Sequence, residues 1–224
     1  MDGTGGLFSP LIRELSEFDC LVIPLPNEGS QTYRSITNIV REKLPEEDFI
    51  LVAESFSGPI GATLAKEGGA NLKGVIFIAT FLSSPNKLLL SIAKCLPLKL
   101  LSKLPFSNFF HRALFLGSSA SNELVDLFQS TVNSLPSVLI KSRLSAMNSL
   151  SYCSEGIELP VAYIQAASDR LVPSGKAHEF RATFNKIIIQ TIEGPHFILQ
   201  AKPAECAVII SELAPILTRQ ATGQ

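Results

Sequence analysis

Apolar residues cluster in short runs at both ends of this chain, and a looser Leu- and Phe-rich pattern fills its middle. Residues 18–24 have a short apolar centre (Leu21, Val22, Ile23) followed by a Pro/Asn/Gly turn, which predicts a buried strand. Tyr33, Ile36, Val40 and Leu44 then recur at helical spacing up to Pro45. Residues 49–54 read as a second strand, broken at Ser55 by a turn into a helix that ends near Gly68 and Gly69. Residues 74–80 are a continuous apolar strand. The rhythm resumes with a strand at residues 161–167, a helix from about Ser174, and a strand that starts at Ile187 and ends at Glu193. A final helix is expected to bury Val208, Ile209, Leu213 and Ile216. Continuous apolar strands alternating with helices predict an α/β fold built on a parallel sheet.

Between residues 83 and 158 the strand rhythm is missing. Leu124, Phe128 and Val132 lie at helical spacing after Ser121, a good N-cap, and Pro97, Pro105 and Pro136 interrupt the segment. The pattern predicts several short helices inserted into the sheet domain. The organisation is therefore a core at residues 1–82 and 159–224 with a helical insertion at 83–158. The insertion either packs on itself as ordinary core or forms an apolar cap over a site. Both readings hold together.

Candidate chemistry sits where predicted strands end. Ser55 follows a buried strand, has small neighbours two residues to either side (Ala53 and Ser57), and is followed by Gly58, Gly61 and Ala62. A serine in a sharp strand-to-helix turn needs small neighbours, because the two backbones pass closely there. The turn also sets the hydroxyl beside helix N–H groups that can hold an oxyanion. Ser55 could equally be a plain N-cap. Ser57 fits the turn less well, because Pro59 would take the second small position. Asp169 and His196 also fall at strand ends, the usual address of active-site residues in open parallel sheets. His111 lies in the insertion and His178 within a predicted helix, which leaves His196 as the candidate base. A hydroxyl needs an imidazole base, and the base needs a carboxylate to fix its tautomer.

Composition narrows the partners. With 46% hydrophobic and 17% charged residues, the 224-residue chain can build one substantial core, which excludes extensive disorder. A net charge of -1 without a basic block points to neither nucleic acid nor an anionic membrane. Cys20, Cys95, Cys153 and Cys206 are scattered, so they read as buried thiols, and no metal site is expected. Neither a signal peptide nor an apolar run of transmembrane length is visible, so no stable membrane insertion and a cytoplasmic location are expected.

The segments Ala-Glu-Ser-Phe-Ser-Gly around Ser55, Ala-Ser-Asp-Arg-Leu-Val-Pro around Asp169 and Gly-Pro-His-Phe-Ile-Leu-Gln around His196 resemble the nucleophile, acid and histidine segments of the α/β-hydrolase superfamily. The order Ser, Asp, His is that family's order. The likeness covers nearly the whole chain and is closest to small capped esterases. It implies the α/β-hydrolase fold, with the helical cap between the sixth and seventh family strands. It also implies a Ser55-Asp169-His196 triad and an oxyanion N–H from Phe56. The start Met1-Asp2-Gly3-Thr4-Gly5 resembles the end of the family's oxyanion loop, which gives the second oxyanion N–H to Met1.

The family's first strands are absent from this sequence. A strand that would separate residues 21–25 from residues 49–54 is among them, so either a gap or direct pairing of those two strands is expected. A shortened reading frame or a start assigned too late accounts for this, as does a short fold complete in itself. The activity implied is serine-dependent cleavage of carboxylic esters of small apolar substrates through an acyl-enzyme, without a cofactor. Thioesterase, acyltransferase and carbon–carbon bond hydrolase are the alternatives on the same fold. A non-catalytic ligand-binding protein is the alternative of another class.

Overall fold

The computed structural model describes residues 3–95 and 107–223. A 3-10 turn (Gly6–Phe8) leads into α1 (Ser9–Glu14), and α2 (Tyr33–Arg41) starts where the Thr32 hydroxyl accepts the Ser35 N–H at 3.2 Å. Then come β1 (Phe49–Glu54), α3 (Gly58–Glu67) and β2 (Leu72–Ile78). The connection to the next strand holds α4 (Lys87–Cys95), α5 (Ser107–His111) running into a π-helical turn (Arg112–Leu116), α6 (Asn122–Ser134) and α7 (Ser137–Asn148). The chain closes with β3 (Val161–Ala166), α8 (Ala177–Thr183), β4 (Ile187–Ile192), α9 (Ile198–Ala201) and α10 (Pro203–Thr222).

The four strands form one parallel sheet in the order β1-β2-β3-β4, with Val52 opposite Ile76, Ile76 opposite Ala162 and Ala162 opposite Ile188. Alternation along the strands divides the core in two. Val75, Phe77, Val161 and Tyr163 pack with Ile36, Ile60 and Phe180 on one face. Ile76, Ile78, Ala162 and Ile164 pack with Leu11, Ile210, Leu213 and Leu217 on the other. Both faces of β2 and β3 are therefore covered, which is why their sequences are unbroken apolar runs.

Several expectations are corrected. Residues 18–25 form no strand. They carry no regular structure, with Ile23 and Leu25 half-buried on one core face and Cys20 on the other, and Leu25 N–H donates to Gly3 O at 2.8 Å. Without a ladder partner, an apolar run can be covered but cannot become a strand. Residues 21–25 and β1 do not pair directly, so β1 is a terminal strand of the described sheet. In α10 the buried residues are Cys206, Ala207, Ile210, Leu213, Ala214 and Leu217; of the four expected inward, Leu213 is buried, Ile209 and Ile216 are half-buried and Val208 is exposed. Apolar character alone placed Val208 inward, but the 206, 210, 213, 217 spacing sets the packed stripe. Cys153 is exposed and Cys20 half-buried, so of the described thiols only Cys206 is fully buried. The breaks expected at Pro97 and Pro105 lie outside the described residues. The break at Pro136 separates α6 from α7, and the Ser121 hydroxyl caps α6 by accepting the Leu124 N–H at 3.1 Å.

Candidate active site

Ser55 is the first residue after β1 and has φ +51°, in the left-handed region. For a residue with a Cβ this conformation costs about 1–2 kcal/mol. The surroundings hold it in place. The Thr80 hydroxyl, just past β2, donates to Ser55 O, and Ser57 Oγ donates to Glu54 O at 2.7 Å. Tyr163 in β3 donates its hydroxyl to Thr80 O at 2.9 Å, so adjacent strand ends are tied together. Gly58 explains the need for small residues: a Cβ there would lie 2.0 Å from Thr80 Oγ1.

Asp169 follows β3 in a turn whose Leu171 and Val172 N–H groups donate to its Oδ1 at 2.7 and 2.9 Å. Oδ2 is left to face His196 Nδ1 at 2.7 Å. The turn after β4 that carries His196 is joined to the Asp169 turn by Ala167 N–H to Ile192 O and Ser168 N–H to Gly194 O, both at 2.9 Å. His196 Nε2 lies 2.8 Å from Ser55 Oγ. Ser55 and His196 are buried, and so is the Asp169 side chain. Three segments, Asp169 and His196 27 residues apart and Ser55 141 residues from His196, thus form one continuous hydrogen-bonded chain. With Nδ1–H donated to the carboxylate, Nε2 is free to accept the serine proton.

Phe56, the residue after Ser55, is buried and its ring stacks on Tyr33 with centroids 4.9 Å apart. Met1, expected to supply the second oxyanion N–H, lies outside the described residues. His111 and His178 are not part of the chain. His111 sits among Phe115 and Phe128, where burial lowers its pKa.

Several participants were not singled out by sequence reasoning. Gln200, one turn after His196, donates to Glu54 Oε2 at 3.1 Å and so links the end of β1 to α9. Burial, then the nearby Glu54 charge, pushes the Cys206 thiol up to about 12, so it stays a neutral packing group. Burial and then the Asp169 charge push the Tyr163 phenol upward, which keeps it a hydrogen-bond donor. Glu179 in α8 clamps the chain where it leaves β2, accepting from the Leu82 and Ser83 N–H groups at 3.1 and 2.9 Å. The available signal was polar residues at the ends of apolar runs, which marks Glu54 and Thr80 but not their partners.

The helical segment reaches the histidine turn directly. Phe197 N–H donates to Phe115 O at 3.0 Å, and the Phe197 ring packs against Phe128 in α6. A separate open cleft of about 510 Å³ lies between Gln31 and Thr32 on one side and α7 with the following Ser149 on the other, and none of Ser55, Asp169 and His196 lines it. Among the described residues no helix is long and apolar enough to cross a membrane.

No protein-family model and no curated protein sequence matches the chain. Solved structures do. A hydrolase from Pseudomonas aeruginosa PA01 superposes with a TM-score of 0.77 at 15% identity, over 95% of this chain and 86% of that one. A lipase-esterase related protein from Clostridium acetobutylicum gives 0.75 at 17% identity, over 94% and 90%. An esterase from Exiguobacterium antarcticum gives 0.77 at 12% identity, over 94% and 87%. These likenesses, together with the parallel sheet and the three strand-end turns, show that the chain has the α/β-hydrolase fold.

Proposed function

We propose that this protein is a serine hydrolase that cleaves carboxylic esters of small apolar substrates, with Ser55 as nucleophile, His196 as base and Asp169 as its orienting carboxylate. The observation that carries the reading is the chain Ser55 Oγ–His196 Nε2–His196 Nδ1–Asp169 Oδ2, with spacings of 2.8 and 2.7 Å. Ser55 Oγ attacks the ester carbonyl while its proton passes to His196 Nε2. Asp169 stabilises the imidazolium, and the tetrahedral oxyanion takes the Phe56 N–H. His196 then protonates the leaving alcohol, and the acyl group stays on Ser55. Water, deprotonated by His196, attacks the acyl-enzyme and releases the acid. The protein's own side chains are sufficient for each proton transfer.

The apolar substrate preference is supported by the helical segment at 83–158, read as a cap. Phe115 and Phe128 reach the residue next to His196, and an apolar lining favours apolar acyl or alkyl groups. Solved structures of similar fold are described as hydrolases and esterases, and one as an enol-lactonase from Burkholderia xenovorans LB400, which is compatible with ester chemistry. The test is turnover of p-nitrophenyl butyrate by the purified protein and by His196→Ala. The reading expects measurable hydrolysis in the first and its loss in a folded second. Equal rates in both overturn it.

A further inference from the structure

Arg143 has no exposed surface, yet it belongs to α7 in the helical segment, far in sequence from every strand-end turn. A buried guanidinium is costly to desolvate, so its partners reveal what it holds. Nε donates to Gln31 Oε1 at 3.0 Å, and Nη2 donates to Pro26 O at 2.9 Å. Gln31 in turn donates through Nε2 to Pro26 O, Glu28 O and Gly29 O, so one side chain organises the whole loop before α2. The guanidinium carbon also lies 5.9 Å from the centroid of the Phe56 ring, within cation–π range. On its remaining side is Gly3: a Cβ there would lie 2.7 Å from Arg143 Nη1. Gly3 O is itself tied to Leu25 N–H at 2.8 Å.

Arg143 therefore touches the side chain of the residue after Ser55, the backbone beside Gly3, and the loop at 26–31. We propose that Arg143 is a positioning residue, which sets the Phe56 peptide for oxyanion binding, fixes the adjoining Gly3 backbone and couples that geometry to the packing of α7. This rests on the serine-hydrolase reading for its chemical consequence. It does not rest on that reading for the physical coupling. The planar fork of arginine suits the role, because it can bond two acceptors while its face meets an aromatic ring, and a lysine ammonium cannot.

The test compares wild-type protein with Arg143→Met, Arg143→Lys and Gln31→Ala in two measurements. The first is steady-state hydrolysis of p-nitrophenyl butyrate. Arg143→Met should lower kcat about 10- to 100-fold, less than deletion of an oxyanion donor, while KM moves by less than about threefold. Arg143→Lys should recover part of the loss, and the pH dependence of the rate should not move, because Arg143 does not touch the Ser-His-Asp chain. The second is amide hydrogen exchange, which needs no activity. Residues 55–58 should lose protection in Arg143→Met while β2 and β3 keep theirs. If Arg143→Met does not fold, Gln31→Ala removes one acceptor of the guanidinium, and a smaller loss of the same kind is expected.

Unchanged kcat together with unchanged protection at residues 55–58 in a folded variant overturns the proposal. A KM effect alone also overturns it, since that would make Arg143 a substrate-binding group. A wild-type protein without esterase activity, but with the exchange effect in Arg143→Met, overturns the hydrolase reading and leaves the coupling standing.

Discussion

Residues 49–58 and residues 18–25 are both short apolar stretches that end in a turn, and they are held in quite different ways. In the first, Phe49–Glu54 pair with β2 and are followed by Ser55, whose carbonyl takes the Thr80 hydroxyl and whose side chain meets His196. The second is anchored at its far end by Leu25 N–H to Gly3 O, and Leu21 is 63% exposed. The contrast separates two things that an apolar run can encode. Burial follows from hydrophobicity, whereas a strand also needs a neighbour whose N–H and C=O groups complete a ladder. The candidate site lies entirely on the first kind of segment. Its three turns leave paired strands and are bonded to one another, which is how Ser55 can be kept in a left-handed conformation.

The largest effect that sharpens this comparison is chemical. If the paired strand ends carry the reaction, Asp169→Asn should lower kcat by about 10³- to 10⁴-fold while the melting temperature changes little. The Asn side-chain oxygen can still accept from Leu171 and Val172, so loss of the correct imidazole tautomer is isolated from loss of the turn. A retained rate would break the assignment of roles to the strand ends.

Next in size is a pair of truncations read by denaturant unfolding. Ile76→Ala, in the fully covered β2, should cost about 2–5 kcal/mol, and Leu21→Ala less than about 0.5 kcal/mol. Equal costs would mean that residues 18–25 are bound into the fold as firmly as the sheet. Gly58→Ala follows, with an expected loss of about 1–3 kcal/mol from the clash with Thr80. The loss in the Gly58→Ala/Thr80→Ala double variant should be smaller than the sum of the two single-variant losses, with thermal unfolding as the readout.

The smallest effect is on acid stability. Burial alone would raise the Glu179 pKa, but its bonds from Lys176, Ser83 and Leu82 outweigh burial and hold it below the usual 4.5. The folded protein therefore binds this proton less tightly than the unfolded chain does. The resulting stability is fully present above the unfolded value and lost as pH falls through the folded one. Glu179→Gln should flatten that part of the pH–stability curve, and an unaltered acid limb would contradict the clamp.

How much of this was legible in the sequence depends on how local each determinant is. The four strands could be read because each is a short, largely apolar run, unbroken where β2 and β3 are covered on both faces, and Ser55, Asp169 and His196 could be placed because Ser55 directly follows one strand and the other two lie in the turns just beyond β3 and β4. The helix ends at Ser121 and Pro136 were equally local, set by one cap and one missing N–H. What could not be read depends on partners distant in sequence. Residues 18–25 resemble a strand until their lack of a ladder is known. Val208 is as apolar as Ile210 until the helix is set against β2. Arg143 lies in no motif, and Gln200, although it ends the histidine segment, has no role that the segment reveals, because the meaning of both lies in the groups that the fold brings to them.

The most direct test of the central claim is labelling of the folded protein with a fluorophosphonate, followed by peptide mapping. The account predicts one adduct, on Ser55, that disappears in Ser55→Ala and is strongly slowed in His196→Ala. An unlabelled folded protein, or an adduct that persists in Ser55→Ala, would contradict it.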